Sequence, residues 1–310
     1  MNYNKVYGFF ESSNGCDQIA YYIYSPTKPV KAVLQLSHGM NEYVERYEEF
    51  ITFLCVNGIA VIGNDHLGHG NSADCDDNLG YFSAEKGWQH IIKDLAKVTM
   101  IAINEFPDLP LFLLGHSMGS IIARTFMAKY ADRLSGVIIL GTTPSNKLAD
   151  AGIILAKYLC KTKGVKHRPS KIQRVLLELI NFKVATKRTN YDWICSDTNV
   201  VTEYLKDKKC NFEFTASAYL DLLYMQAYIS QKSWYLKIPK LLPVLILSGS
   251  EDPVGNFGKG PKELFYNLSK TGSKDVSMTL YEGKRHDIIN ETNKYKVYND
   301  ILDWIKEKIQ

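Results

Sequence analysis

The chain has no apolar run approaching the ~18 residues of a membrane-spanning helix. Its first stretch, MNYNKVYGFFESSNGCDQ, lacks the basic start and apolar core of a secretory signal. Neither a membrane span nor secretion is expected. No sign of charge dominates, since 37 basic against 33 acidic residues leave a net charge of +4. Aromatic and basic side chains do not interleave as a reader of bases requires, so nucleic acid is not expected as a partner. Cysteine is sparse: the six, at positions 16, 55, 75, 160, 195 and 210, form no C-x-x-C pair, and several fall inside apolar helical or strand patterns. Buried free thiols in a reducing cytoplasm are the expectation. Repeats and low-complexity tracts are absent too, and 45% hydrophobic with 23% charged residues is the composition of a globular chain with a sizeable core.

What is present is an alternation. Segments 4–12, 19–24, 32–37, 59–64, 110–115, 136–141, 243–248 and 275–281 are rich in Val, Ile, Leu, Phe or Tyr and read as strands. Helical patterns fall between them. Trp88, Ile91, Ile92, Leu95, Val98 and Ala102 repeat with the helical period until Pro107 ends the pattern, and Tyr298, Ile301, Leu302, Ile305 and Ile309 repeat it near the carboxyl end. This predicts an α/β fold with a mostly parallel sheet flanked by helices, the first two strands forming an antiparallel hairpin. The alternation breaks over 143–237, where only helical patterns occur. We read 1–142 and 238–310 as the core and 143–237 as a helical insertion, whose first part joins apolar positions (Ile153, Ile154, Tyr158, Leu176, Leu177, Ile180) to a basic run from Lys161 to Arg174.

The stretch PLFLLGHSMGSIIARTF, residues 110–126, runs a buried-strand pattern through Gly-His-Ser-Met-Gly into an amphipathic helix. That is the setting of a nucleophile elbow, a sharp strand-to-helix turn that lifts a serine hydroxyl above the sheet of an α/β hydrolase. Gly115 and Gly119 are expected to let strand and helix pack closely while Ser117 takes the strained backbone. In that fold the acid and then the histidine follow on loops after later strands. LPVLILSGSEDPVG supplies Asp252, with Glu251 the weaker candidate, and SMTLYEGKRHDIINE supplies His286. His286 would take the proton of Ser117, and Asp252 would set its tautomer and stabilise the imidazolium. The loop after the third strand, LQLSHGMNEYVERYEEF, and the residue after the nucleophile would donate the oxyanion hole through the backbone N–H groups of Met40 and Met118.

GNDHLGHGNS, residues 63–72, carries two histidines at a spacing that could suggest a metal, but no third ligand lies near in sequence. Asp65, Gly68, Gly70 and Ser72 read instead as a hydrogen-bonded loop beside the site, and no metal is expected. His116 is expected to pack rather than react.

Together HGMNEYVERY, DHLGHGNS, GHSMGS, SGSEDPVG and RHDIINE resemble the monoacylglycerol lipase and lysophospholipase group of serine hydrolases in its bacterial type, and the similarity covers nearly the whole chain, YDWICSDTNVVTEYLKDKKCNFEFT included. The resemblance implies an α/β-hydrolase fold, a cap over the site, an acyl tunnel beneath the cap and a polar pocket for glycerol. It places Glu42 and Arg46 where the group has a carboxylate and a guanidinium near that pocket. Met40 and Asn41 depart from it, replacing small residues common in the animal lipases. Ile153, Ile154, Tyr158, Leu176 and Ile180 would face the hydrocarbon tail.

The expectation is therefore a cytoplasmic enzyme, peripheral to membranes, that cleaves esters of single long acyl chains, monoacylglycerol or lysophospholipid, through an acyl-Ser117 intermediate without a cofactor. Its partner is a small lipid ester, and the basic run raises transient contact of the cap with anionic lipid. Two alternatives stand: a proline-iminopeptidase-like serine peptidase, which needs an acidic pocket that the basic cap disfavours, and a catalytically silent binding protein, which would have lost a triad member. None is lost.

Overall fold

The computed structural model describes residues 3–146, 148–185 and 187–309. Eight strands, β1 (Tyr3–Glu11), β2 (Gln18–Pro26), β3 (Ala32–Ser37), β4 (Ile59–Asn64), β5 (Leu111–His116), β6 (Gly136–Leu140), β7 (Val244–Gly249) and β8 (Val276–Tyr281), form one sheet in the order β1-β2-β4-β3-β5-β6-β7-β8. β1 and β2 form the predicted hairpin, β2 runs antiparallel to β4, and all other pairs are parallel. All eight expected strands are present.

Period-two alternation divides the sheet between two cores. Val33, Leu113, Val137, Ile139, Val244 and Ile246 meet α2 (Gly87–Glu105) and α3 (Met118–Tyr130) on one face. Leu34, Leu36, Phe112, Leu114, Ile138 and Leu140 meet α1 (Glu48–Val56) and α10 (Lys294–Lys308) on the other. Because both faces are covered, the central strands are continuous apolar runs. α2 stops just before Pro107, as expected. α10 starts ahead of its apolar pattern, at polar residues that carry no periodic signal.

Between β6 and β7 lie α4 (Ala149–Lys163), α5 (Ser170–Asn181), α6 (Thr198–Lys206), α7 (Ala216–Ile229) and α8 (Lys232–Leu236); α9 (Lys259–Lys270) separates β7 from β8. α7 packs on α2 and α3, and α4 packs on α7. Two expectations change here. α4 presents Ile154 and Tyr158 to solvent, 70% and 63% exposed, so neither borders a tunnel; its buried residues are Ala149 and Ala156, and a Cβ on its Gly152 would stand 3.1 Å from Leu223 of α7. Cysteine burial is also divided: Cys55, Cys195 and Cys210 are buried, whereas Cys16 and Cys75 lie in polar turns and are exposed. Among the described residues no helix is long and apolar enough to cross a membrane.

Candidate active site

β5 ends at His116 and α3 begins at Met118, leaving Ser117 alone to make the bend at φ 54° and ψ −119°. A non-glycine residue holds this left-handed region only where its surroundings dictate it. They do so here. The Ser117 amide donates to the Leu140 carbonyl at 3.0 Å, and its carbonyl accepts from the Ser120 amide at 2.9 Å. A Cβ on Gly115 would stand 2.2 Å from the Gly119 carbonyl oxygen, and one on Gly119 would stand 2.0 Å from that of Ser37, so only glycine fits either side of the bend. The Ser117 hydroxyl makes no capping bond to α3 and borders a cavity of about 260 Å³.

His286, in the loop after β8, borders the same cavity, and its Nδ1 lies 3.0 Å from Oδ2 of fully buried Asp252 in the loop after β7. The second Asp252 oxygen accepts the Val254 amide at 2.8 Å. Burial pushes the Asp252 carboxyl up, but the His286 ring and the neighbouring amides outweigh it and hold the group below its ordinary value. A neutral ring that donates from Nδ1 to Asp252 would leave its lone pair at Nε2. Trp193 and His116 pack against the ring with centroids 5.2 and 5.1 Å away. Glu251 is exposed.

The loop after β3 passes directly over the serine. A Cβ on Gly39 would approach Cβ of Ser117 to 3.0 Å, and the Gly39 amide is held by Oε1 of Glu42. Met40 follows, then Asn41 at φ 58°. Met118, the first residue of α3, has an amide that the helix itself leaves without an acceptor. Met40 and Met118 both border the cavity.

Glu42 and Arg46 border it as well, yet their polar atoms face protein partners. Oε1 of Glu42 also accepts the Tyr47 hydroxyl at 2.6 Å and lies 3.1 Å from Nδ1 of His116. Arg46 reaches Glu42 at 3.7 Å and Asp287 at 3.5 Å, and lies over the Tyr204 ring. Burial raises the Glu42 carboxyl, but His116 and Arg46 bring it far below the carboxylate range. Burial lowers His116, and Glu42 returns it to above its ordinary value. His116 thus pairs with a buried carboxylate beside the site, where simple packing was expected.

The 63–72 loop forms a second polar layer. His66 bonds Ser37 at 2.9 Å, its amide donates to Nε2 of His38 at 2.9 Å, and His69 bonds the Leu67 carbonyl at 3.0 Å. Burial keeps all three rings neutral, His69 lowered to about 3. Asp65 receives the amides of Val44 and Asn71 and the Tyr22 hydroxyl, and Ser72 donates to the Asp65 carbonyl.

Leu176, Leu177 and Ile180 of α5, with Leu222 of α7, form an apolar wall. At the serine end, five buried polar atoms of cavity-lining residues have no hydrogen-bond partner among the described residues: Asn41 Oδ1, His116 Nε2, Trp193 Nε1, His286 Nε2 and Asp287 Oδ1. Buried groups of this kind are normally satisfied, and these five gather in residues around Ser117 and His286. Asn41, Trp193 and Asp287 were not candidates from sequence. Asp287 adjoins His286 and Trp193 lies in the quoted YDWICSD, but no spacing rule marks either as a wall of this cavity.

Residues 28–293 match the serine aminopeptidase S33 family. The chain belongs to that family. Its curated relatives include the monoacylglycerol lipase of Mycolicibacterium smegmatis, 25% identical over 93% of this chain and 92% of that protein. The human monoglyceride lipase is also 25% identical, over 92% of this chain and 86% of its own length. Among solved structures, a thermostable carboxyl esterase from Bacillus coagulans in complex with glycerol superposes with a TM-score of 0.93 at 29% identity, covering 99% of both chains. The fold is that of the α/β hydrolases.

Proposed function

We propose that the protein is a carboxylic ester hydrolase acting on esters of single long acyl chains, with monoacylglycerols the first choice and lysophospholipids the second. The observation that carries this is the composition of one cavity. Ser117 and His286 border it together with polar Asn41, Trp193 and Asp287, and α5 adds the apolar side chains of Leu176, Leu177 and Ile180. An ester with a polar alcohol and a hydrocarbon tail matches both sets. The similarity to monoacylglycerol lipases supports the same reading.

In the proposed reaction Ser117 Oγ attacks the ester carbonyl while His286 Nε2 takes its proton. Asp252 keeps the proton of Nδ1 in place and stabilises the imidazolium. The amides of Met40 and Met118 receive the developing oxyanion, a contribution of ~3–4 kcal/mol per donor in comparable sites. His286 then protonates the departing alcohol, leaving acyl-Ser117, and a water activated by the same nitrogen completes hydrolysis. No step calls for a cofactor. Hydroxyls of the alcohol can donate to Asp287 Oδ1 and accept from Trp193 Nε1; Glu42 and Arg46 serve that pocket indirectly by fixing the Gly39 amide and Asp287.

Segment 143–237 is the cap in this reading. Its exposed side chains include apolar Ile154, Leu155 and Tyr158 of α4, Leu179 of α5 and Phe182 just beyond it, and basic Lys161, Lys163, Lys171 and Arg174, which we read together as its outer face. We assign this face to transient docking on anionic lipid, where each nearby basic residue contributes ~1 kcal/mol. Arg168 and Lys166 of the basic run instead tie the cap to the core, bonding the Asp77 carbonyl and Asn78.

The aminopeptidase reading would need a carboxylate free to meet a substrate amine. Both carboxylates that border the cavity, Glu42 and Asp287, already face Arg46, which weakens it. A panel of monoacylglycerols, lysophospholipids, triacylglycerols and aminoacyl anilides tests the assignment, with Ser117→Ala as the blank. Turnover of the anilides alone would transfer the protein to the peptidases.

A further inference from the structure

The departure at Asn41 has a structural counterpart. Its carboxamide crosses from the loop after β3 and donates to the carbonyl of Phe212, in the segment that leads into α7. The same carbonyl is approached by Nε2 of Gln173 on α5 at 3.4 Å. Gln173 is itself held from the far side, its Oε1 accepting the Phe214 amide at 3.2 Å and the Tyr219 hydroxyl at 2.7 Å. A parallel tie joins Tyr43 to Asp207 at 2.8 Å.

The position of Gln173 on α5 gives this chain its meaning. Gln173, Leu176, Leu177 and Ile180 recur at intervals that place them on one helix face, and all four border the cavity. One face therefore carries both the apolar wall and a donor to the carbonyl that Asn41 holds. On the core side the loop is pinned by Glu42 at Gly39; on the cap side it is pinned by Phe212 at Asn41. Met40 lies between the two pins. Displacing α5 or the 207–214 segment would remove the acceptor of a carboxamide whose Oδ1 is already without a partner. A buried group left so unsatisfied is costly, and the loop would have to rearrange.

We propose that Asn41 and Gln173 are positioning residues that couple occupancy of the apolar wall to the orientation of the Met40 amide. This rests on the serine-hydrolase reading above and goes beyond it, because it makes the oxyanion hole responsive to the acyl chain. A long chain seated against Leu176, Leu177 and Ile180 steadies α5, and through Gln173 and the Phe212 carbonyl it steadies Asn41. A short chain leaves the wall empty and the loop less restrained.

The test uses two alkyl fluorophosphonates, hexadecyl and ethyl, which react at a serine nucleophile and place a phosphonyl oxygen in the oxyanion hole. Asn41→Gly keeps the left-handed backbone accessible and removes the carboxamide. It is expected to lower kinact for the hexadecyl probe about tenfold more than for the ethyl probe, the scale of one lost hydrogen bond, with KI for both within about twofold of wild type. Equal losses for the two probes, or a loss confined to KI, would overturn the coupling. Amide exchange on the wild-type adducts gives a second reading that does not depend on the variant folding: the hexadecyl adduct should protect 207–214 more than the ethyl adduct, and equal protection would count against the proposal. Failure of the substrate assignment looks different, since wild-type protein that reacts with both probes but hydrolyses no monoacylglycerol refutes the substrate and leaves the coupling standing.

Discussion

At the scale of single residues, the assignment makes Asp252 a tautomer holder. Asp252→Asn should leave the fold intact, because the groups are near-isosteric, and should lower kcat by as much as ~10⁴-fold, the known size of a tautomer error in such a triad. Normal turnover would move the acid elsewhere. The polar end of the cavity gives a subtler expectation. Trp193→Phe removes one donor to the alcohol, so KM for a monoacylglycerol should rise by roughly 2–10-fold while KM for the methyl ester of the same acid stays put. An equal rise for both esters would show that Trp193 serves only to pack His286. Ser117, Asp252 and His286 could be singled out from sequence because each sits in a local pattern, a bend or a strand end, whose form reveals its position. Asn41 stood out only as a departure from the resemblance, and Trp193 and Asp287 not at all. Their shared wall is made by three distant segments, and His116 gained a carboxylate partner only because the fold carries Glu42 to its ring.

Among the elements, α7 and α2 share a titrating contact. Asp221 of α7 is buried against the amides of Gly87 and Trp88 at the start of α2, and burial, only partly offset by those amides, pushes its carboxyl up to about 7. The native value lies above the unfolded one of ~3.9, so the stability tied to the protonated form is full below that pH and is lost as pH rises towards 7. Asp221→Asn should therefore stabilise the protein relative to wild type more at pH 8 than at pH 5, read from urea midpoints. A difference independent of pH would remove the carboxyl from this role. The outer cap face carries its own expectation: Leu179→Ser with Phe182→Ser should reduce co-sedimentation with anionic vesicles, and wild-type binding to these should fall at high salt. Equal partitioning to neutral and anionic lipid at both salts would remove the docking surface. Strands were legible because buried parallel strands are short unbroken apolar runs. Helix faces were less so. Ile154 and Tyr158 share the apolar pattern of α4, but periodicity cannot say whether such a side meets protein, substrate or solvent, and here the packing on α7 leaves them outside.

On the scale of the whole molecule, one sheet brings together loops after β3, β5, β7 and β8, and the helices between β6 and β7 supply the opposite wall of the cavity. In the proposed reaction this arrangement binds the tail of the substrate as well as its ester. Each methylene removed from water contributes ~0.8 kcal/mol, so three or four more should raise kcat/KM by roughly a hundred-fold until the apolar wall is covered. The most direct test is kcat/KM across monoacylglycerols from acetyl to oleoyl, below their aggregation limits, with Ser117→Ala subtracted. Binding of the tail requires a steep rise from acetyl through the medium chains to a plateau or maximum among the long ones; a maximum at acetyl or butyryl would contradict it.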